Sequence, residues 1–284
     1  MILMIPTASN LFTSGHLISG QILFRTIDNV AQKIYGSSVI SKINGPFEAD
    51  SEYSVFFNRF KRTFELDNSR INNSFPVAKE GFPFIAISCG LTLIFLLLGY
   101  HIFFVLGTLI SFFIVFFFRD PDREHQSVPN AVLTPADGRI LEIKQIDNSS
   151  NPLGSPALKI SIFMSVFNVH VNRMPVGAVI EKIDYHAGKF LSANLDKASE
   201  QNENNRVTLR TPDSQKIVTI QIAGLIARRI VCWVEEGDRM DRGQRFGLIR
   251  FGSRLEVFLP INARVTIEKG QKVKAGETII GYLQ

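Results

Sequence analysis

The chain has 284 residues, and its 31 Lys and Arg against 26 Asp and Glu leave a formal net charge of +5. That excess is modest, and no basic run interleaved with aromatics points to a nucleic-acid partner. Cys89 and Cys232 lie far apart and the five histidines lack metal-ligand spacing, so neither a disulfide framework nor a metal site is indicated.

Residues 1–74 are polar and moderately charged, and no basic residue precedes their short apolar stretch at 2–6, so they lack a secretory signal. They read as a poorly ordered N-terminal extension. The alternative is a lipid-surface helix around 56–64, where Phe56, Phe57 and Phe60 mix with Arg59, Lys61 and Arg62. From Gly81 to Phe118 there is no Asp, Glu, Lys or Arg. A spanning helix needs about 20 apolar residues, so this run is too long for one comfortable span and just long enough for two short ones. Gly99-Tyr100-His101 supplies the turn. Residues 75–120 are therefore expected to form an apolar helical membrane hairpin, with a single tilted span as the rival. Lys79 on one flank and Arg119 and Arg123 on the other place both ends, and the domain that follows, on the cytoplasmic face of the cell (inner) membrane.

Residues 121–284 are β-rich. Short apolar or alternating runs at 140–146, 158–164, 179–185, 207–210, 217–222, 229–234, 246–251, 255–259 and 265–267 predict strands, separated by turn clusters such as Asn148-Ser149-Ser150-Asn151-Pro152 and Thr211-Pro212-Asp213-Ser214. Helix is expected only between the hairpin and Asn130, or around 195–203. The fold class is mainly β. An internal repeat aligns Glu236 to Phe246 without gaps onto Lys269 to Ile279, each copy with Gly, an apolar residue three later and Gly three beyond that. The glycines suit tight turns at positive φ. This signature resembles the sandwiched β-hammerhead of lipoyl and biotinyl carriers, which raises a non-catalytic alternative, a membrane-tethered adaptor or carrier module. Carriers present a modified Lys between their repeated halves, and no Lys occurs from Gly247 to Ile267.

Between the repeats, Gly252-Ser253 interrupts two predicted strands. Gly in a strand pattern marks a bulge or a close backbone approach, and it exposes the Gly252 carbonyl to the neighbouring Ser253 hydroxyl. Attack would give an ester, elimination would break the chain, and the resulting dehydroalanine would hydrolyse to a pyruvoyl group. An amide is a poor electrophile, so such a step needs a base and a stabilised oxyanion. Asn168, His170 and Asn172 alternate along a predicted strand and would share one face. Asp137, in Pro135-Ala136-Asp137-Gly138, reads as an Asx-turn by its surroundings alone.

The chain resembles the short, bacterial-type branch of the pyruvoyl-dependent phosphatidylserine decarboxylases. The matching segments are Glu80-Gly81-Phe82-Pro83-Phe84-Ile85, Phe117-Phe118-Arg119-Asp120-Pro121, Thr134-Pro135-Ala136-Asp137-Gly138-Arg139, Phe163-Met164-Ser165, Asn168-Val169-His170-Val171-Asn172-Arg173-Met174-Pro175, Tyr185-His186-Ala187-Gly188-Lys189-Phe190 and Arg250-Phe251-Gly252-Ser253. They run in order and cover roughly 75–284.

The resemblance implies a proenzyme that cleaves itself between Gly252 and Ser253 into a long and a short chain. Ser253 becomes a pyruvoyl group, which forms a Schiff base with phosphatidylserine and accepts the electrons released as carbon dioxide leaves, giving phosphatidylethanolamine. It makes Asp137 the acidic partner of a histidine and His170 the acid/base residue that reprotonates the substrate. Longer-form members place a histidine where Arg173 stands, so His186 becomes the candidate partner of Asp137, with one histidine serving both steps as the alternative. Arg173 is either a phosphate ligand or a structural ion pair. Asn194 and Asn168 are further substrate-binding candidates. The implied partners are the membrane and its phospholipid substrate, with a homo-oligomer left open and no further cofactor. A decarboxylase of a different serine lipid is the neighbouring alternative.

Overall fold

The computed structural model describes residues 71, 73, 75–124, 128–147, 151–192, 201–225, 229–250 and 252–284. The extension at 1–70 with its surface helix, Asn194 and most of the helix expected around 195–203 lie outside the described residues.

A short 3-10 turn, Lys79–Gly81, leads into α1 (Phe82–Leu97), with Pro83 in its first turn, where a missing N–H costs nothing. The helix ends because Gly99 takes φ +75° while Tyr100 N donates to Phe95 O and Gly99 N to Leu96 O, which satisfies carbonyls the helix leaves open. After this turn α2 (His101–Phe117) runs back along α1. Thr92 of α1 faces Gly107 of α2 so closely that a Cβ on Gly107 would lie 2.5 Å from the Thr92 hydroxyl. Thr92 Oγ1 and Ser111 Oγ are 3.5 Å apart. A Val77–Arg119 bridge and an Ala78 N to Phe118 O bond close the base. The apolar run thus forms two helices joined by a turn. The stretch Lys79–Leu97, 19 residues, is long and apolar enough to cross a membrane; His101–Phe117 is shorter.

The remainder is mainly β. Strands β1 (Ala131–Leu133), β2 (Gly138–Ile146), β3 (Ala157–Met164), β4 (Val171–Arg173), β5 (Ala178–His186), β6 (Asn204–Arg210) and β7 (Lys216–Ile222) are followed by β8 (Ile230–Cys232), β9 (Arg239–Met240), β10 (Arg245–Ile249), β11 (Ser253–Pro260), β12 (Arg264–Val265), β13 (Lys272–Val273) and β14 (Ile279–Tyr282). They build an eight-stranded sheet in the order β13-β2-β3-β11-β7-β6-β5-β9 and two three-stranded sheets, β1-β14-β12 and β4-β10-β8. The small sheets contribute Val132, Ile280, Phe246 and Ile249 to the main core, where they meet Ile162, Val207, Leu255 and Val257 of the large sheet. A second cluster, Val218, Ile220, Ile222 and Phe258 with Leu153, covers the other face.

The internal repeat is larger than the sequence indicates. Gly237 N donates to Ile180 O and Gly270 N to Ile140 O, at 2.7 and 2.8 Å; Gly243 N donates to Met174 O and Gly276 N to Thr134 O, both at 2.9 Å. All four glycines have positive φ. Strands β2 and β5 carry the same register shift, at Ile140/Glu142 and Ile180/Lys182. The two halves are locked by a reciprocal pair of bonds, Leu133 N to Pro175 O and Arg173 N to Pro135 O. One copy, β4 to β10, is therefore inserted whole between β3 and β11 of the other.

Candidate active site

The segment leaving α2 ties the hairpin to the β domain. Phe117 and Phe118 pack with Val169, Val171, Trp233 and Leu248. Trp233 Nε1 donates to Glu80 Oε1 at 3.0 Å. Asp120, 1% exposed, accepts from Arg245 Nε at 2.9 Å and from Asn73 Nδ2 at 3.1 Å, and it lies 3.6 Å from the Arg173 guanidinium. Arg245 also reaches Asp122, at 2.8 Å. Two buried arginines, from β10 and β4, thus share one buried carboxylate, which fixes both strands beneath the hairpin.

Ser253 opens β11, the strand held between β3 and β7, and is fully buried. Its Oγ lies 3.4 Å from the Met164 sulfur, directly across the β3 ladder. Asn172 Nδ2 approaches the same sulfur at 3.8 Å. The orientation of that amide is set from behind: Gln221 Nε2 donates to Asn172 Oδ1 at 2.8 Å, and Asn205 Nδ2 donates to Gln221 Oε1 at 3.0 Å. All three amides are buried. Buried amides without partners would be costly, and here one N–H of Asn172 is left for the Met164 sulfur, which Ser253 Oγ also approaches. Gly252, at φ +34°, has open space where a Cβ would stand. It is a corner at which the chain leaves the β4-β10-β8 sheet for the large one, instead of the in-strand bulge expected from the sequence.

His170 precedes β4, and its carbonyl accepts from Ile249 N at 3.3 Å. Its ring sits 4.3 Å from the Phe117 ring, beneath the hairpin. Nδ1 is 2.9 Å from Asn168 O. A carbonyl only accepts, so Nδ1 carries the proton and Nε2 keeps its lone pair; Nε2 is buried without a hydrogen-bond partner. Burial, against the pull of the Asn168 carbonyl, pushes the imidazole down to about 4, and the Arg119 charge adds to the fall. The ring is neutral at pH 7, with its lone pair at Nε2.

Asp137 lies one residue before β2. Gly138 follows it because the strands meet too closely there for any side chain: a Cβ would lie 2.1 Å from Phe163 O. Strand β3 separates β2 from β11, so the Asp137 and Ser253 backbones stand about 10 Å apart at the same edge of the sheet. The Asp137 carboxylate accepts from Ala275 N at 2.7 Å and pairs with Arg123 at 3.1 Å, while Arg123 also donates to Glu277 at 2.6 Å.

The family profile for phosphatidylserine decarboxylase matches residues 110–281. The phosphatidylserine decarboxylase proenzyme of Syntrophus aciditrophicus is 52% identical over 207 residues, which span 72% of this chain and 96% of that protein. Those of Desulfotalea psychrophila and Geotalea uraniireducens are 47% and 46% identical, over 73% and 75% of this chain and 97% and 99% of their own lengths. The chain belongs to the phosphatidylserine decarboxylase family.

Within the stretch that the decarboxylase family shares, several expected residues are placed otherwise than the sequence suggests. Asp137 meets an arginine, and among the described residues no hydrogen bond joins it to a histidine. The expected Asx-turn is absent too, because its partner is the distant Ala275. His186 ends β5 and is solvent-exposed. Its row runs His186–Asn204–Ile222–Arg254, three strands across from β11, and it faces the Arg254 side of the sheet, opposite Ser253. Arg173 takes the ion-pair alternative: its guanidinium donates to Gly243 O and Pro121 O and faces Asp120. Asn168 does not share a strand face with His170 and Asn172, since only Val171–Arg173 is paired; its side chain instead closes a turn on Ser165. Sequence reasoning missed the parts played by Phe117, Asp120, Arg123, Met164 and Gln221. The Phe117-to-Pro121 motif was visible, but nothing in it tells that Asp120 is buried. Among the described residues, no group of three His, Cys, Asp or Glu side chains is placed to hold a metal ion.

Proposed function

We propose that this chain is a proenzyme that cuts itself between Gly252 and Ser253 and, with the pyruvoyl group so formed, decarboxylates phosphatidylserine to phosphatidylethanolamine. The observation that carries the reading is Ser253, buried at a chain corner beside an oriented amide, in a chain 52% identical to a decarboxylase proenzyme over nearly all of that relative's length. Ser253 Oγ attacks the Gly252 carbonyl carbon as the C–N bond breaks, giving an ester. Elimination releases the Gly252 carboxylate and leaves a dehydroalanine, whose hydrolysis frees ammonia and leaves the pyruvoyl. The Asn172 amide is an oriented donor for the oxyanion. The lone pair at His170 Nε2 takes the hydroxyl proton, and the same nitrogen later returns a proton to the substrate carbon. The pyruvoyl supplies an electron sink when formed. The site's residues suit it: Met164 and the buried amides place no charge beside the carbonyl.

The α1–α2 hairpin enters the bilayer, with both ends on one side. Lys79 and Arg119 at its base favour the cytoplasmic face. The site lies directly below that base, so enzyme and lipid headgroup share one surface.

Intact mass measurement of the detergent-solubilised chain tests the proposal. Two chains split after Gly252 are expected, the shorter lacking an N-terminal amine, with Ser253→Ala remaining whole. One unbroken chain in both samples after long incubation overturns it.

A further inference from the structure

Four arginines around the site are committed to protein partners. Arg123 binds Asp137 and Glu277; Arg173 binds Asp120 and two carbonyls; Arg245 binds Asp120 and Asp122. Arg119 donates to Phe116 O and Phe167 O and lies over the Phe116 ring. Arg250 differs. Among the described residues its guanidinium has no hydrogen bond or ion pair, and its Nε is buried without a partner. It lies 5.2 Å over the Phe84 ring, near the start of α1 and so at the base of the hairpin. Its backbone N bonds to Arg229 O at 3.2 Å, which brings a second arginine alongside. Burial and the Arg229 charge disfavour its cationic form, opposed by Glu80. Two like charges placed near each other repel, and an anion bound between them would relieve that repulsion.

We propose that Arg250, with Arg229 beside it, binds the phosphodiester of the substrate lipid's headgroup; this rests on the decarboxylase reading. The placement suits that ligand. Arg250 is three residues from Ser253, at most about 10 Å of chain, and in a phosphoserine headgroup the phosphorus is only a few bonds from the amino-bearing carbon. A guanidinium grips a phosphate with two parallel hydrogen bonds. Arg173, the sequence-level candidate, already spends its donors on protein oxygens. With its amine at Ser253 and its phosphate at Arg250, the headgroup would lie along the chain corner, and the acyl chains would leave toward Phe84 and the hairpin.

The test uses the full chain in mixed micelles, with self-cleavage checked first by mass; an uncleaved wild type would fail the decarboxylase reading and this proposal with it, whereas in cleaved wild type the variants decide this proposal alone. Arg250→Ala should process, keep kcat within about threefold, and raise KM for phosphatidylserine and Ki for glycerophosphoserine by about tenfold or more, the size expected for a lost charge-assisted contact. Arg250→Lys should lose severalfold, because an ammonium keeps the charge without the fork, and it decides the matter if the alanine form does not process. KM and Ki within twofold of wild type in the processed variant overturn the proposal. So does inhibition by inorganic phosphate equal to that by glycerophosphoserine and relieved by Arg250→Ala, which marks a site for free anions.

Discussion

Replacing Phe117 with alanine strips the apolar ring from one face of the His170 imidazole and lets water reach it. Burial is the main reason the imidazole titrates at about 4 instead of the ordinary 6.5, so the value should climb toward 6.5. The whole gap corresponds to about 3 kcal/mol. Because the folded value is depressed, the unfolded chain takes up the proton first. Stability is therefore full above pH 6.5 and is lost as pH falls from 6.5 through about 4; the variant loses less across that window. Removing a fully buried phenylalanine also costs about 3–5 kcal/mol at neutral pH, so Phe117→Leu, which keeps the site dry, is the control and should leave the titration low. Imidazole NMR of detergent-solubilised, uncleaved Ser253→Ala protein, assigned with His170→Asn, reads the values directly. In the parent chain, processing should hold its rate down to about pH 5; in Phe117→Ala it should fall below pH 6.5 as the base is protonated. A wild-type His170 titrating near 6.5, or a Phe117→Ala form still titrating near 4, would refute the argument that this ring keeps the base dry.

Two further predictions concern buried polar groups. Asp120→Ala leaves Arg245 and Arg173 without their shared carboxylate and should cost about 3–5 kcal/mol in chemical denaturation; a loss under about 1 kcal/mol would mean that Asp122 and the backbone carbonyls suffice. Asn172→Leu and Gln221→Met each strand part of the amide chain and should cost about 1–3 kcal/mol singly, with the double variant less destabilised than the sum. Asn172→Leu should also slow self-cleavage at least tenfold, while strict additivity together with normal cleavage would show that the amide neither couples nor donates.

The central strands were legible because their apolar or alternating runs, bounded by turn clusters, are long enough to register, as at 140–146 and 217–222. The hairpin was legible as an uncharged run with a glycine in the middle. Strands β4, β9, β12 and β13, two or three residues each, carry no period to detect. The Asn168-His170-Asn172 alternation misled for a related reason: Asn168 gains more by closing a turn on Ser165 than by extending a three-residue strand. Charge pairing was the least legible part. Nothing in the sequence says that Asp137 finds Arg123 or that Asp120 finds Arg245, because partners 14 and 125 residues apart are chosen by the packed sheets and not by spacing.

The duplication explains how the chain would hold together after the proposed cut at Gly252. In the inserted copy, β6 passes to β7 through the tight turn 211–215, closed by Thr211 N to Gln215 O and Ser214 at positive φ. The matching place in the outer copy is Met164 of β3 opposite Ser253 of β11, where the whole inserted copy leaves and returns. The proposed scissile bond is thus the return crossing, a corner between sheets that carries no ladder of its own. Once it is cut, residues 253–284 stay fixed: β11 remains hydrogen-bonded between β3 and β7, β14 between β1 and β12, and β13 against β2. The proposed cut would therefore free a new N-terminus at residue 253 to act as a reactive group while the strand that carries it stays in the centre of the sheet.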